Sequence, residues 1–269
     1  MNRESPGRAI LVVSLTALVC STLVSAAVVV FRPIQLNNQM LDRSRNIMQL
    51  TGLLPADRAI EDKQMLALYK SLDIRIIDID AAGYNDEIDP HTFSERKAQN
   101  DPETSVAIPA DQDWATLGRR SRFAPVYMVW NKEGLDRVIL PVRGNGMWSM
   151  LYGYIALEPD LNTIAGMTFY EQNETPGLGD QVTHPHWLEQ WKGLRIYDDQ
   201  GNFRFKVNEG PVEPGSSTAE FEVDALTGAT ITGNAVTDLM HYWFGPHGYQ
   251  PLILALRQHP PERPAELEP

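Results

Sequence analysis

The chain has 269 residues, 43% of them hydrophobic and 22% charged, a globular composition that excludes disorder throughout. Its formal net charge of −12 leaves no basic face of the kind nucleic acid requires, so no nucleic-acid partner is expected. A lone cysteine, Cys20, excludes an internal disulfide, a cysteine-held iron–sulfur cluster and a Cys-rich zinc site.

After a short tail, residues 1–8, an uncharged run covers residues 9–31. As a helix it would reach about 34 Å, slightly more than a hydrocarbon core of roughly 30 Å. Arg8 and Arg32 bracket it and can snorkel to the two interfaces. Ser14, Thr16, Ser21 and Thr22 are small enough to bond their own helix backbone. A cleaved signal peptide is the competing reading, with Ser25 and Ala27 as a small-residue cleavage pair. The run is long for such a peptide and continues past that pair, so a transmembrane helix in contact with the lipid bilayer is expected. Val19 before Cys20 is a poor fit to a lipoprotein signal. Arg3 and Arg8 precede the span while Arg32, Arg43 and Arg45 follow it, so the basic count sets no orientation.

Residues 32–122 read as juxtamembrane helices, a strand and a polar excursion. Apolar Leu36, Met40, Ile47, Met48 and Leu50 predict an amphipathic helix over 35–53. A second helix is expected over 56–71, starting near Ala56 and Asp57, then a strand over 72–79. Residues 81–121 carry Pro90, Pro102 and Pro109 with little periodicity and predict a long surface excursion, with one short helix near 93–99.

Residues 123–257 read as the core domain. Strands are predicted over 124–130, 137–141, 153–157 and 164–169, with turns at Glu133-Gly134 and Pro159–Asn162. A short helix follows over 187–193, then strands over 194–198 and 203–207. The last helix runs from about Thr230 to Phe244, with Val236, Leu239, Met240 and Trp243 on one face. The Pro- and Glu-rich tail, 258–269, reads as disordered. The fold class expected is α+β: one N-terminal transmembrane helix, then a single domain with a mostly antiparallel sheet flanked by helices.

The chemistry concentrates in Asp224-Ala225-Leu226-Thr227-Gly228-Ala229-Thr230, followed by Ile231 and Thr232. This is a small-residue turn opening a helix, where unpaired N–H groups and the helix dipole suit a phosphate. Gly228 and Ala229 permit close approach, and Thr227, Thr230 and Thr232 supply hydroxyls. The plainer reading is a threonine N-cap with Asp224 in a turn. No metal is assigned: His184-Pro185-His186 lacks further ligands, and His241 and His247 sit near a helix end. No nucleophilic triad stands out, and Gly177-Leu178-Gly179 does not continue as a dinucleotide fingerprint, so no NADH site is expected in this chain.

The 224–230 segment resembles the flavinylation motif of proteins that carry FMN covalently, through a phosphoester to the final threonine, here Thr230. Glu174-Thr175-Pro176-Gly177-Leu178-Gly179-Asp180 resembles the glycine-rich loop of the same FMN-binding domain. Gln172 stands where that family often has a histidine. Gly144-Asn145-Gly146-Met147-Trp148-Ser149-Met150, His186-Trp187-Leu188-Glu189-Gln190-Trp191 and Trp243-Phe244-Gly245-Pro246-His247-Gly248 add further matches in order. Together they resemble the C subunit of the sodium-translocating NADH:quinone reductase. The G subunit of the ion-translocating ferredoxin:NAD oxidoreductase shares the anchor and the flavinylation motif. A free-standing anchored flavoprotein shuttle and a cofactor-free scaffold are two further candidate functions.

The resemblance implies an FMN-carrying redox subunit that relays electrons from an iron–sulfur centre on another subunit to a second covalent flavin. It implies a flavin transferase that moves FMN from FAD onto Thr230, with Asp224 read by that enzyme or helping to deprotonate the threonine. It places the chain in a bacterial inner membrane, single-pass, with the domain on the periplasmic side, among other membrane and soluble subunits. Glu174 and Thr175 would bond ring or ribityl oxygens, the 177–179 backbone would approach the ring, and Met147, Trp148 and Leu178 would cover it.

Overall fold

The computed structural model describes residues 6–54 and 60–265, and of residues 33–40 and 43 the backbone alone. The chain divides into two compact units, Met1–Ser44 and Arg45–Pro269. Helix α1 (Pro6–Leu50) makes up the described part of the first unit and ends in the second. Its Pro6–Arg32 stretch is long and apolar enough to cross a bilayer, and none of its most apolar window is buried. The Ser21 and Thr22 hydroxyls both donate to the Leu18 carbonyl, at 3.0 and 2.8 Å, so their polarity is met inside the helix.

The predicted juxtamembrane helix is the continuation of the same helix. Between Arg32 and Leu50 only Pro33 is a breaker, and one proline does not end a helix whose other residues favour it. The helix stops where the Thr51 hydroxyl turns back to the Met48 carbonyl. Leu36 and Met40, two of the apolar positions behind that prediction, have side chains outside the described residues.

The second unit continues with α2 (Asp62–Lys70), β1 (Asp73–Asp78) and β2 (Gly83–Tyr84). The predicted start of the second helix, near Ala56 and Asp57, lies outside the described residues. The excursion holds α3 (Glu95–Ala98), β3 (Ser105–Ala107) and β4 (Arg119–Ser121). Then come β5 (Phe123–Asn131), β6 (Gly134–Asn145), β7 (Met150–Leu157) and β8 (Ile164–Glu171). The chain ends with α4 (Pro185–Glu189), β9 (Lys206–Val207), β10 (Glu222–Val223), α5 (Thr230–Trp243) and α6 (Gln250–Gln258).

Six strands form one sheet in the order β2-β1-β5-β6-β7-β8, antiparallel at every pairing. Both faces are covered, which is why β5 reads as a nearly unbroken apolar run. Val126 and Met128 face the main core with Trp191, Trp243, Phe244 and Tyr249, while Tyr127 and Val129 face Ile47, Leu50, Tyr69 and Leu72. The architecture is therefore α+β, an apolar helix followed by a mostly antiparallel sheet flanked by helices.

Three expectations need correction. Residues 194–198 and 203–207 form only the isolated bridges Thr163–Arg195 and Tyr197–Phe203 and the short β9, which pairs in parallel with β10. Side chains take the backbone groups there instead: Asn162 Oδ1 accepts Tyr197 N–H at 2.8 Å, and Asp198 Oδ1 accepts Gln200 and Asn202 N–H. The helix expected over 187–193 is shorter and earlier, because Pro185 sets its first turn. The stretch read as a disordered tail is bonded as far as Arg263, where Arg75 donates to the Glu262 carbonyl at 2.7 Å and Arg263 to the Asn131 carbonyl at 3.3 Å.

Candidate cofactor site

Three segments far apart in sequence meet at Glu174. The turn after β6 brings Gly146 to Ser149, the loop after β8 brings Glu174 to Gly179, and the start of α5 brings Gly228 to Thr232. Glu174 is buried, and its carboxylate accepts from Met147 N–H at 3.2 Å, Trp148 N–H at 3.0 Å and Ser149 N–H at 3.1 Å. Thr232, also buried, donates its hydroxyl to Glu174 Oε2 at 2.7 Å. Burial pushes this carboxyl up, but the Trp148 N–H, the Thr232 hydroxyl and the Met147 and Ser149 N–H groups outweigh it and hold it below the ordinary carboxylate range.

Packing at this junction leaves no room for side chains. A Cβ on Gly179 would stand 2.8 Å from Thr232 Oγ1 and 2.9 Å from Glu174 Cβ. Gly228 adopts φ +74°, the left-handed region, and turns the chain from Leu226 into α5. Leu178 closes on it, since a Cβ there would lie 2.9 Å from Leu178 Cδ2.

Thr230 is the first residue of α5 and is exposed. The residue before it, Ala229, offers no side-chain cap, so neither Thr227 nor Thr230 plays the capping role of the plainer reading. The first helical bond runs from Gly233 N–H to the Ala229 carbonyl at 3.0 Å, which leaves the three preceding N–H groups at the open end of the helix. Around this end stand exposed apolar side chains: Trp148 at 67%, Ile231 at 58%, Met147 at 44% and Leu178 at 41% exposure. Large apolar groups left in water beside an open, positively polarised helix end are suited to a flat aromatic ligand with a phosphate tail.

The sequence-predicted residues thus divide in two. Thr227, Gly228, Thr230, Thr175, Gly177, Met147, Trp148 and Leu178 are exposed or half-exposed at the junction. Glu174, Gly179, Ala229 and Thr232 are buried within it. Glu174 and Thr232 bond each other and the 147–149 turn, so they brace the site instead of offering free polar atoms. Asp224 Oδ1 accepts Val212 N–H at 2.7 Å, and its carbonyl accepts the Trp187 indole N–H at 2.8 Å. Gln172 uses its Oε1 to accept Glu174 N–H at 2.6 Å.

Sequence reasoning passed over Ile231 and Ser149 as site residues. Ile231 carries a signal: it is apolar, yet off the face that Val236, Leu239, Met240 and Trp243 bury. Ser149, whose hydroxyl accepts Asn173 N–H at 2.8 Å and so ties two of the loops, carries none.

Residues 146–245 match the FMN-binding domain family, and they include all three converging segments. Fold and site together define an FMN-binding domain preceded by an apolar helix. The Na(+)-translocating NADH-quinone reductase C subunit of Pseudomonas aeruginosa is 40% identical over 258 residues, 96% of this chain and 98% of that protein. The C subunit of Yersinia pestis is 35% identical, with 96% and 95% covered. The crystal structure of Shewanella oneidensis NqrC aligns with a TM-score of 0.72 at 36% identity, over 82% of this chain and 98% of that one. The chain belongs to the family of C subunits of the Na(+)-translocating NADH-quinone reductase.

Proposed function

We propose that this chain carries FMN covalently, through a phosphoester on the Thr230 hydroxyl, and works as the electron-relay subunit of a sodium-translocating NADH:quinone reductase. The observation that carries the reading is exposed Thr230 at an uncapped helix end, in a junction whose segments also expose Met147, Trp148, Leu178 and Ile231. FMN, when bound, supplies electron transfer in single or paired steps. The chain's residues do the rest. The open N–H groups of α5 balance the phosphate charge. Met147, Trp148, Leu178 and Ile231 would exclude water from the ring, and exposed Gly177 would let backbone approach it, while Gly179 packs the loop against Thr232 and Glu174.

Attachment needs a flavin transferase and FAD: the Thr230 oxygen forms the new bond to phosphorus, the pyrophosphate bond breaks, AMP leaves and the hydroxyl proton is released. Asp224, engaged with Val212, belongs in this reading to the motif that the transferase recognises. Electrons reach the chain from an iron–sulfur centre on another subunit and leave for a second covalent flavin. The chain is single-pass in a bacterial inner membrane through residues 9–31, with its domain on the periplasmic side beside the other subunits. Flavin fluorescence of the denatured band tests the proposal. Wild type coexpressed with its transferase should fluoresce, Thr227→Ala should retain signal, and Thr230→Ala should be dark. Fluorescence that survives Thr230→Ala refutes the assignment.

A further inference from the structure

The excursion between β2 and β5 takes no part in the site, yet it touches each element that delivers a site segment. The Ala115 carbonyl accepts Asn145 N–H at 2.8 Å, directly before the Gly146 turn, and Ala115 is buried in the main core. Arg96 of α3 pairs with Glu171, the last residue of β8 and three before Glu174. The same guanidinium lies 4.0 Å from the ring centroid of Tyr152 on β7. The Trp114 ring stands edge-on to His241 of α5, with centroids 4.6 Å apart.

The excursion is itself stiff. Asp113 takes the N–H groups of Leu117 and Gly118 at 2.7 Å each, and Arg143 of β6 donates to the Arg119 carbonyl at 2.9 Å. We propose that residues 95–119 are a positioning clamp: one segment grips the roots of the β6 and β8 loops and the last turn of α5, and so fixes the geometry these elements present to FMN. An exposed ion pair alone holds little. Arg96 adds a cation–π contact with Tyr152, and the clamp has independent points of grip on β6, on β8 and on α5. The role given to FMN rests on the function proposed above, while the clamp itself concerns only this chain's loops.

Hydrogen exchange of the full-length protein tests it, since the Met147, Trp148 and Ser149 amides are held by Glu174 and report loop geometry directly. In Arg96→Ala and Trp114→Ala, peptides covering 146–149 and 174–179 should exchange several-fold faster while β5 keeps its wild-type rate. Arg96→Lys should recover part of the protection. In flavin-loaded protein, the midpoint potential of the flavin should shift in the same order of variants. Wild-type exchange at 146–149 in both alanine variants overturns the clamp, and so does a uniform acceleration across the sheet. Absence of flavin from wild type would sink the FMN reading without touching the exchange result.

Discussion

A carboxylate shut away from water is destabilising unless donors surround it, and Glu174 has the Met147, Trp148 and Ser149 amides and the Thr232 hydroxyl. Glu174→Gln would set an amide NH2 against those donors and should cost about 1.5–3 kcal/mol in urea unfolding at neutral pH. The sign of the pH effect follows from the lowered pKa. The stabilisation is present above the unfolded-state value, about 4.3, and disappears as pH falls through the lower folded value. Wild type should therefore lose more stability than Glu174→Gln between pH 7 and 3; parallel curves would contradict this. At Gly228, alanine should cost about 1–2 kcal/mol, the cost of holding an L side chain in the left-handed region. That the 224–230 turn opens a helix at Thr230 was legible because a short contiguous run of small residues carries it. The inward turn of Glu174 and Thr232 was not, because their partners lie 25 to 58 residues away and no local pattern encodes such a bond.

Helices and strands were legible where apolar residues keep a period. The β5–β8 meander emerged from short apolar runs bounded by turn residues, and α5 from the Val236, Leu239, Met240, Trp243 stripe. Short or side-chain-braced pieces did not. Helix α6 is hard to read although Leu252, Ile253 and Leu256 bury one face: Pro251 looks like a stop in sequence but occupies the first turn. The excursion's order comes from side chains that take nearby N–H groups, such as Asn85 for Glu87 and Ile88 and Asp101 for Glu103, and such turns leave no hydrophobic signal. At this scale α5 ties the site to the core: the Trp243 indole donates to the Arg143 carbonyl at 2.7 Å, and the ring is fully buried. Trp243→Ala should cost about 3–5 kcal/mol and lower the fraction of protein that is flavinylated. An unfolding midpoint equal to wild type would show that α5 is held elsewhere.

The whole molecule joins an apolar helix to an acidic domain whose core is complete within Arg45–Pro269. A chain beginning at residue 45 should accordingly fold and unfold cooperatively. The arginines on both sides of the span leave orientation open to physical argument, so a direct reading is needed. With Cys20→Ser as background, Gln200→Cys places a thiol at an exposed turn. An impermeant thiol reagent should label it in intact cells if the domain is periplasmic; labelling only after lysis would reverse that orientation.

The central claim is that Thr230 holds the flavin, and peptide mass spectrometry of protein coexpressed with its transferase tests it most directly. The peptide containing Thr230 should carry the mass of FMN less one water, with fragmentation placing it on that residue, and Thr230→Ala should remove it. Flavin mass on Thr227, on another peptide, or on none would contradict the account.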